Sequence, residues 1–438
     1  MSGDIQDINQ LLYDASSARM QGRLDKAVEL FQKALDCSPD QPRVLNALGA
    51  VLTEKGDFDM AEKYLEKARN VAGESASVLY NLGRLRQVQG RPDEAVRLYE
   101  KVVKLEPSMC VAWNNLGSLM LDAGMTGKAV NMLEQAVECA PGMAVAWNNL
   151  GVAREKADMP GRAEEAFRMA ISLDADYVSA LFNLGSLLLR EGRRGDAEVL
   201  LEKVVRLEPG NVTASFLLKT IDGSGAPDAA PAEYVRRLFD DAAMDFDSTL
   251  VEKLEYRTPE LMFRMVEPFL TKGMRILDLG CGTGLGAGMY RPYASFLAGV
   301  DISGRMLEIA AGKKVYDELF QFDLGGKWPV EKKFDIIYSS DVFVYFGRLS
   351  GLLGQMAEHL EPGGIAVFSV EKMDRSGEGD FSLGPGGRYR HAPSFVEKEA
   401  WRCGFAVVES AEEILRKEAG KSVRGMIFVL KRQEKNLL

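Results

Sequence analysis

The sequence predicts two domains, an all-α solenoid of six helix pairs with a closing helix, then an α/β domain ending in an antiparallel hairpin. Three observations predict this. A 34-residue period runs through the first half of the chain. The segment "DGSGAPDAAPAE" then breaks it with glycine, alanine and proline. Beyond that break, strands alternate with helices, beginning at "RILDLGCGTGLG", Arg275 to Gly286. The implied boundaries are 8–221 for the solenoid, 222–233 for the linker and 234–438 for the second domain.

Composition bounds the reading. A chain of 438 residues exceeds one ordinary core, and 46% hydrophobic with 27% charged residues suits globular domains. No uninterrupted apolar run suffices to cross a bilayer, so membrane insertion is not expected. The start "MSGDIQDINQ" carries no basic and apolar leader pattern. The five cysteines, Cys37, Cys110, Cys139, Cys281 and Cys403, are scattered and lack metal-ligand spacing, so reduced thiols in a cytoplasm are expected and no metal site. A formal net charge of -10 argues against nucleic acid as the main partner.

Each element of the array follows from packing. Gly49, Gly83, Gly117, Gly151 and Gly185 share one phase, as do Ala27, Ala61, Ala95, Ala129, Ala163 and Ala197. Pro39, Pro107, Pro141 and Pro209 stop the helix pairs, while Gly73 and Ala175 stand where proline is expected. In "WNNLGSLM", Trp113, Leu116 and Gly117 lie on one helix face; Trp fills the space between helices and Gly permits close approach. Ala129, Leu133 and Ala136 make the matching face of the second helix. The period with W-x-x-L-G, Ala and Pro is the tetratricopeptide pattern, and "NVTASFLLKTIDG" supplies the closing helix.

Asn115 stands two residues after Trp113, about 200° around the helix and away from the packed seam. Asn81, Asn149 and Asn183 share its phase. These amides would line the concave groove, where an amide can both donate to and accept from a passing peptide. The pattern resembles the asparagine ladder of O-linked N-acetylglucosamine transferase, which implies a protein or peptide partner. The other reading is that these amides only face water. The pattern does not resemble the carboxylate clamp of chaperone-binding arrays.

In the second domain, "ILDL" is a short strand ending in Gly280, Gly282 and Gly284, which bare backbone to a ligand. Asp301 closes the next apolar run, "LAGVDIS", where it can accept hydrogen bonds from a ribose. A dinucleotide pattern can be laid over Gly282, Gly284 and Ala287. "LDLGCGTG" more closely resembles motif I of class I S-adenosylmethionine-dependent methyltransferases. "FDL" at Phe322 to Leu324, "FDIIYSSDVFVYF", "HLEPGGIAVFSV" and the closing pair "GFAVVES" and "GMIFVLKR" fit the same family. The whole chain resembles the bacterial group in which tetratricopeptide repeats precede such a domain. "LFDDAAMDFDSTLVEKLEYRTPELM" resembles the helical lid of ubiquinone- and biotin-pathway methyltransferases.

The resemblance implies a Rossmann-like, mostly parallel seven-stranded sheet, with S-adenosylmethionine as cofactor and S-adenosylhomocysteine as product. Asp278 and the three glycines would face the methionine end, Asp301 the ribose and Asp323 the adenine edge. Met306 would either pack on the adenine or serve its own helix. Asp341, at the exit of the fourth strand, would adjoin the cofactor and open the acceptor side with Tyr345. A capping box at Ser394 and Glu397 would hold "GRYRH" near the same mouth. That makes Arg388, Tyr389 and His391 acceptor-side candidates, with His391 the base by its ordinary pKa. The alternatives are a loop histidine bonded to backbone and solvated arginines. His359 would complement a helix C-terminus, and Cys281 would be a small filler.

These readings imply a cytoplasmic methyltransferase whose array recruits a protein or peptide, with that polypeptide as one possible acceptor. Two rivals are a small-molecule methyltransferase docked through its array and a scaffold whose methyltransferase domain is inactive. Neither the acceptor atom nor an oligomeric state follows from the sequence.

Overall fold

The computed structural model describes residues 2–222, 226–248, 250, 254–373, 379–384, 386–418 and 421–434. Parts of quoted segments lie outside them, Gly223 to Gly225 and Thr249 with Val251 to Lys253, as do Asp374 to Glu378 and Pro385. The chain forms two compact units, Met1–Leu184 and Gly185–Leu438.

The first unit is built of antiparallel helix pairs, such as Cys110–Asp122 with Thr126–Cys139 and Ala144–Lys156 with Pro160–Leu173. The periodic glycines are where paired helices come closest. A Cβ on Gly117 would lie 2.5 Å from Leu133, and one on Gly151 would lie 2.5 Å from Phe167. Ala27, Ala61, Ala95, Ala129 and Ala163 are fully buried at the facing positions. The two array tryptophans do more than fill space. Trp113 Nε1 donates to the Pro107 carbonyl at 2.9 Å and Trp147 Nε1 to Pro141 at 2.8 Å, tying each turn to the helix that follows it.

Cys110 and Cys139 form a disulfide with Cα atoms 5.4 Å apart, which corrects the expectation that all five thiols are free. The cause is the hairpin. Cys110 begins one helix and Cys139 ends its antiparallel partner, so 29 residues of sequence separation collapse to neighbours.

The second unit opens with the helices Arg194–Leu207 and Val212–Asp222, then presents a nine-stranded sheet. Its strands are β1 (Met274–Leu279), β2 (Ala294–Asp301), β3 (Glu318–Gln321), β4 (Phe334–Ser339), β5 (Leu360–Lys372), β6 (Phe381–Leu383), β7 (Tyr389–His391), β8 (Phe405–Glu418) and β9 (Lys421–Arg432). The parallel core runs β3-β2-β1-β4-β5, and β9 then pairs β5 antiparallel with β8 outside it. Those seven strands are the expected sheet. The added β6–β7 hairpin lies in the stretch that leads into and includes "GRYRH", and β7 pairs parallel with the end of β5.

Helices cover both faces, as the near-continuous apolar strands require. Ser350–His359 and Pro393–Arg402 pack on one side, through Leu352, Met356, Phe395 and Val396. Thr258–Val266 and Ala287–Tyr290 pack on the other, through Met262, Val266 and Tyr290. The expected capping box at Ser394 does not form: the cap is Ala392, and Pro393 sits in the first turn without a side-chain cap. Proline pre-sets the entry φ, so the helix starts one residue before the serine could cap it.

Candidate active site

Reversal of strand order beside β1 opens a crevice beyond the carboxyl ends of the strands, the place where such sheets bind ligands. The crevice, open to solvent on one side, spans about 1170 Å³ of non-protein space. Its floor is the turn after β1. Gly280, Gly282 and Gly284 have φ of 68, 53 and 81, a region that L side chains avoid. A Cβ on Gly280 would lie 2.1 Å from Val342 Cγ2, whereas one on Gly282 would meet nothing closer than 3.4 Å. Gly280 and Gly282 line the crevice; Gly284 packs instead against Tyr316, 2.9 Å from where its Cβ would stand.

Carboxylates flank this turn. Asp278 is 4% exposed, and its Oδ2 accepts from both Tyr316 and Tyr338 hydroxyls at 2.6 Å. Burial pushes its carboxyl up to about 7, against the pull of the two phenols. Asp301 ends β2 and is fixed from both oxygens: Gly282 N–H donates to Oδ2 and Ser303 N–H to Oδ1, each at 2.8 Å. Burial raises its pKa too. Asp323 lies two residues beyond β3, lines the crevice and accepts from Gly325 N–H at 2.9 Å.

The roof comes from the segment before β1. Phe239, Phe246, Leu250 and Leu254 line the crevice. Phe239 meets Tyr345 edge-on at 5.6 Å. Polar ties hold the roof down: Ser303 Oγ donates to Asp240 at 2.5 Å, and Lys313 pairs with Asp247 at 2.6 Å.

A charged group closes the far side. Arg416, 2% exposed on β8, pairs with Asp341 at 3.0 Å, with Glu418 at 2.8 Å and with Glu371. Arg388 pairs with Glu418 and approaches Glu371 at 3.7 Å. Asp341 has φ 55, and Ser369 Oγ donates to its Oδ1 at 2.9 Å. Arg388, Arg416, Asp341, Tyr345 and Tyr256 all line the crevice.

The structure thus brings together Asp278, Gly280, Gly282, Asp301, Asp323, Asp341, Tyr345 and Arg388 around one crevice. It places Gly284, against Tyr316, and three other candidates elsewhere. His391 is fully buried off the crevice, and its Nε2–H donates to the Phe346 carbonyl at 2.8 Å. Burial lowers its pKa to about 4, so the ring is neutral and enclosed, the loop-histidine alternative rather than a base at the mouth. Tyr389 is fully buried and donates to the Pro227 carbonyl at 2.8 Å. Met306 is fully buried in the helix Gly304–Gly312, and the crevice wall at that point is Ile302.

Sequence reasoning missed Tyr316, Tyr338, Tyr256, Glu371 and Arg416. Tyr338 arrives through strand register, on β4 directly opposite Asp278 of β1. The others arrive through long-range pairing. Arg416 in particular comes from a strand 75 residues beyond Asp341.

The array candidates also acquire definite partners. Asn81 Nδ2 donates to Asn46 at 2.9 Å, Asn149 to Asn114 at 3.0 Å and Asn183 to Asn148 at 3.0 Å. Asn115 reaches the hydroxyls of Tyr80 and Tyr99 at 3.4 and 3.3 Å. Each phase-matched amide therefore donates to the residue 35 positions earlier, bracing successive repeats. At least one N–H of each amide is therefore engaged within the array.

Comparison with known proteins agrees with both halves. Residues 251–409 match the family described as methyltransferase domain. Residues 12–74, 40–108 and 80–144 match tetratricopeptide repeat families, and 122–220 match the cilia and flagella-associated protein 70 middle TPR-like domain. The chain therefore carries tetratricopeptide repeats followed by a region that matches a methyltransferase domain. A malonyl-[acyl-carrier protein] O-methyltransferase of Priestia megaterium is 26% identical over 143 residues, 32% of this chain and 51% of the relative. A phosphoethanolamine N-methyltransferase of Triticum aestivum is 33% identical over 105 residues, 23% of this chain and 21% of the relative. The chain thus spans about half of the first and about a fifth of the second of these curated relatives. Among solved structures, Pseudomonas aeruginosa pilF is similar at 19% identity and TM-score 0.44, covering 48% of this chain and 96% of that one.

Proposed function

We propose that this chain is an S-adenosylmethionine-dependent methyltransferase whose repeat array recruits a protein or peptide, either the methyl acceptor or the complex that presents it. One observation carries the reading: a backbone-baring glycine turn and the carboxylates Asp278 and Asp301 share a single crevice at the strand ends. The donor set fits the cofactor. Gly280 and Gly282 leave room against main chain, the Asp301 carboxyl at the end of β2 can accept from ribose hydroxyls, and Asp323 would meet the adenine edge.

When bound, the sulfonium supplies an activated methyl group, so the protein's task is alignment and water exclusion. Phe239, Phe246, Leu250 and Leu254 exclude water. Asp341 faces the acceptor side, oriented by Arg416 and Ser369, and can receive a proton from an acceptor hydroxyl or ammonium. Arg388 and Tyr345 add polar edges to the same wall. The relatives' names cover both O- and N-methyl transfer.

Calorimetry tests the cofactor half: S-adenosylhomocysteine binds the wild type, and Asp301→Ala weakens it at least ~10-fold through loss of a charge-assisted contact. Equal binding by both proteins refutes the assignment. Radiolabelled cofactor incubated with lysate and run on a protein gel tests the acceptor. A labelled protein band supports a polypeptide acceptor, and label confined to small molecules rejects it.

A further inference from the structure

The helix pair Cys110–Asp122 with Thr126–Cys139 carries sulfur where its neighbours carry hydrocarbon. Each hairpin begins and ends at the same two places. In the preceding pair these are Ala76 and Leu105, and in the following pair they are Ala144 and Leu173. Those pairs close without a covalent bond, so the fold does not require one at this junction. Alanine with leucine fills the same place, and two cysteines there add electron chemistry that the packing does not use. The site is also within reach of a small thiol. Both cysteines are half-buried, and Leu105 and Leu173, which stand where Cys139 stands, are 52% and 42% exposed. Cys139 Sγ lies 3.4 Å from the Ser108 carbonyl oxygen, in the turn whose Pro107 carbonyl receives Trp113 Nε1–H. The bond thus ties the end of the hairpin to the turn that Trp113 anchors. Among the described residues the other cysteines are free: Cys37 is exposed, Cys281 buried and Cys403 half-buried.

We propose that Cys110 and Cys139 are a reversible redox modification site, a dithiol that exchanges with a small disulfide of the glutathione class and stiffens this helix pair when oxidised. The step balances. One cysteine thiolate attacks a sulfur of the small disulfide and expels one small thiol. The second cysteine thiolate attacks the protein sulfur of that mixed disulfide and expels the other small thiol. Two protein thiols and one small disulfide become one protein disulfide and two small thiols; the protein gives up two electrons and the small disulfide takes them. Small thiols reverse the exchange, so the poise of the surrounding thiol pool decides which form is present. Joining residues 29 apart in sequence removes open conformations from the unfolded chain. Oxidation therefore favours the folded hairpin, and by the same cycle the folded hairpin favours oxidation. The inference concerns the array alone and does not depend on the cofactor reading.

The test equilibrates the full-length protein in glutathione buffers that run from reducing to oxidising. Acid quenching, alkylation and peptide mass spectrometry then report the state of each cysteine. Cys110 and Cys139 are expected to lose alkylation together as the buffer becomes oxidising. They regain it together on return to reducing buffer, without denaturant. Amide exchange across 110–139 slows in the oxidised form, and the unfolding constant of the array in urea falls about 30- to 1,000-fold. The double variant Cys110→Ala with Cys139→Leu copies the neighbouring pairs, so it keeps the fold. It loses the response and matches the reduced wild type in stability. Four results overturn the proposal. The first is alkylation of both cysteines in every native buffer. The second is a bond that survives the reducing buffers until urea opens the hairpin, which makes it a fixed staple. The third is equal exchange and stability in the two forms. The fourth is the same redox shift from the double variant, which assigns the response to another cysteine.

Discussion

Two glycines separated by a single residue face different demands. At Gly280 a Cβ would strike Val342, a β-branched residue with little freedom, at a φ of 68. Gly280→Ala is expected to cost about 1–3 kcal/mol from overpacking and strain, and to displace Val342 beside Asp341. Its S-adenosylhomocysteine affinity should fall well below that of Gly282→Ala, where space exists and only φ is strained. Equal affinities in the two variants would sink this ordering. His391 shows the opposite case, a polar side chain used as core. Its folded pKa, about 4, lies below the ordinary value of 6.5 because burial penalises the charged ring. The unfolded chain then binds more protons between those two values, so stability is complete above pH 6.5 and declines as pH falls toward 4. The loss is at most about 3 kcal/mol. Urea titrations across that range should show the decline, and His391→Asn should flatten it.

At the scale of elements, the asparagine brace sets a stability question. Asn114 is 8% exposed, and its carbonyl accepts from Asn149. Asn149→Ala leaves that carbonyl without its donor and is expected to cost about 1–2 kcal/mol. A double-mutant cycle with Asn114→Ala should recover a coupling of about 1 kcal/mol. Additive losses would mean that the pair does not brace the repeats. The sequence placed these asparagines in one phase and off the packed seam. It did not show that the 34-residue repeat and a one-residue offset put each amide against its predecessor, because that depends on the rotation between successive helix pairs. The strands tell a similar story. The parallel core and its closing hairpin were legible from apolar runs and glycine turns. The β6–β7 hairpin was not, because Phe381–Leu383 and Tyr389–His391 are three residues each and sit in glycine-rich text. They pair only because β5 runs on to Lys372 and offers its edge.

For the whole molecule, two compact units with separate buried clusters predict two unfolding steps. S-adenosylhomocysteine should raise only the step belonging to Gly185–Leu438, since the crevice lies wholly within that unit. A single step that shifts as one with ligand would contradict this. Among the described residues no helix is long and apolar enough to cross a membrane.

By itself the sequence determined the repeat, the alternation of strands and helices and the carboxylates at the strand ends, because these are properties of spacing along one chain. Period and turn chemistry act locally and survive any tertiary arrangement. Only the tertiary structure decided which side chains share the crevice, that His391 and Tyr389 lie buried away from it, that Arg416 and two tyrosines belong to it, and that Cys110 meets Cys139. Those outcomes depend on which distant segments pair and on which groups burial then deprives of water, and neither is written in the spacing of neighbouring residues.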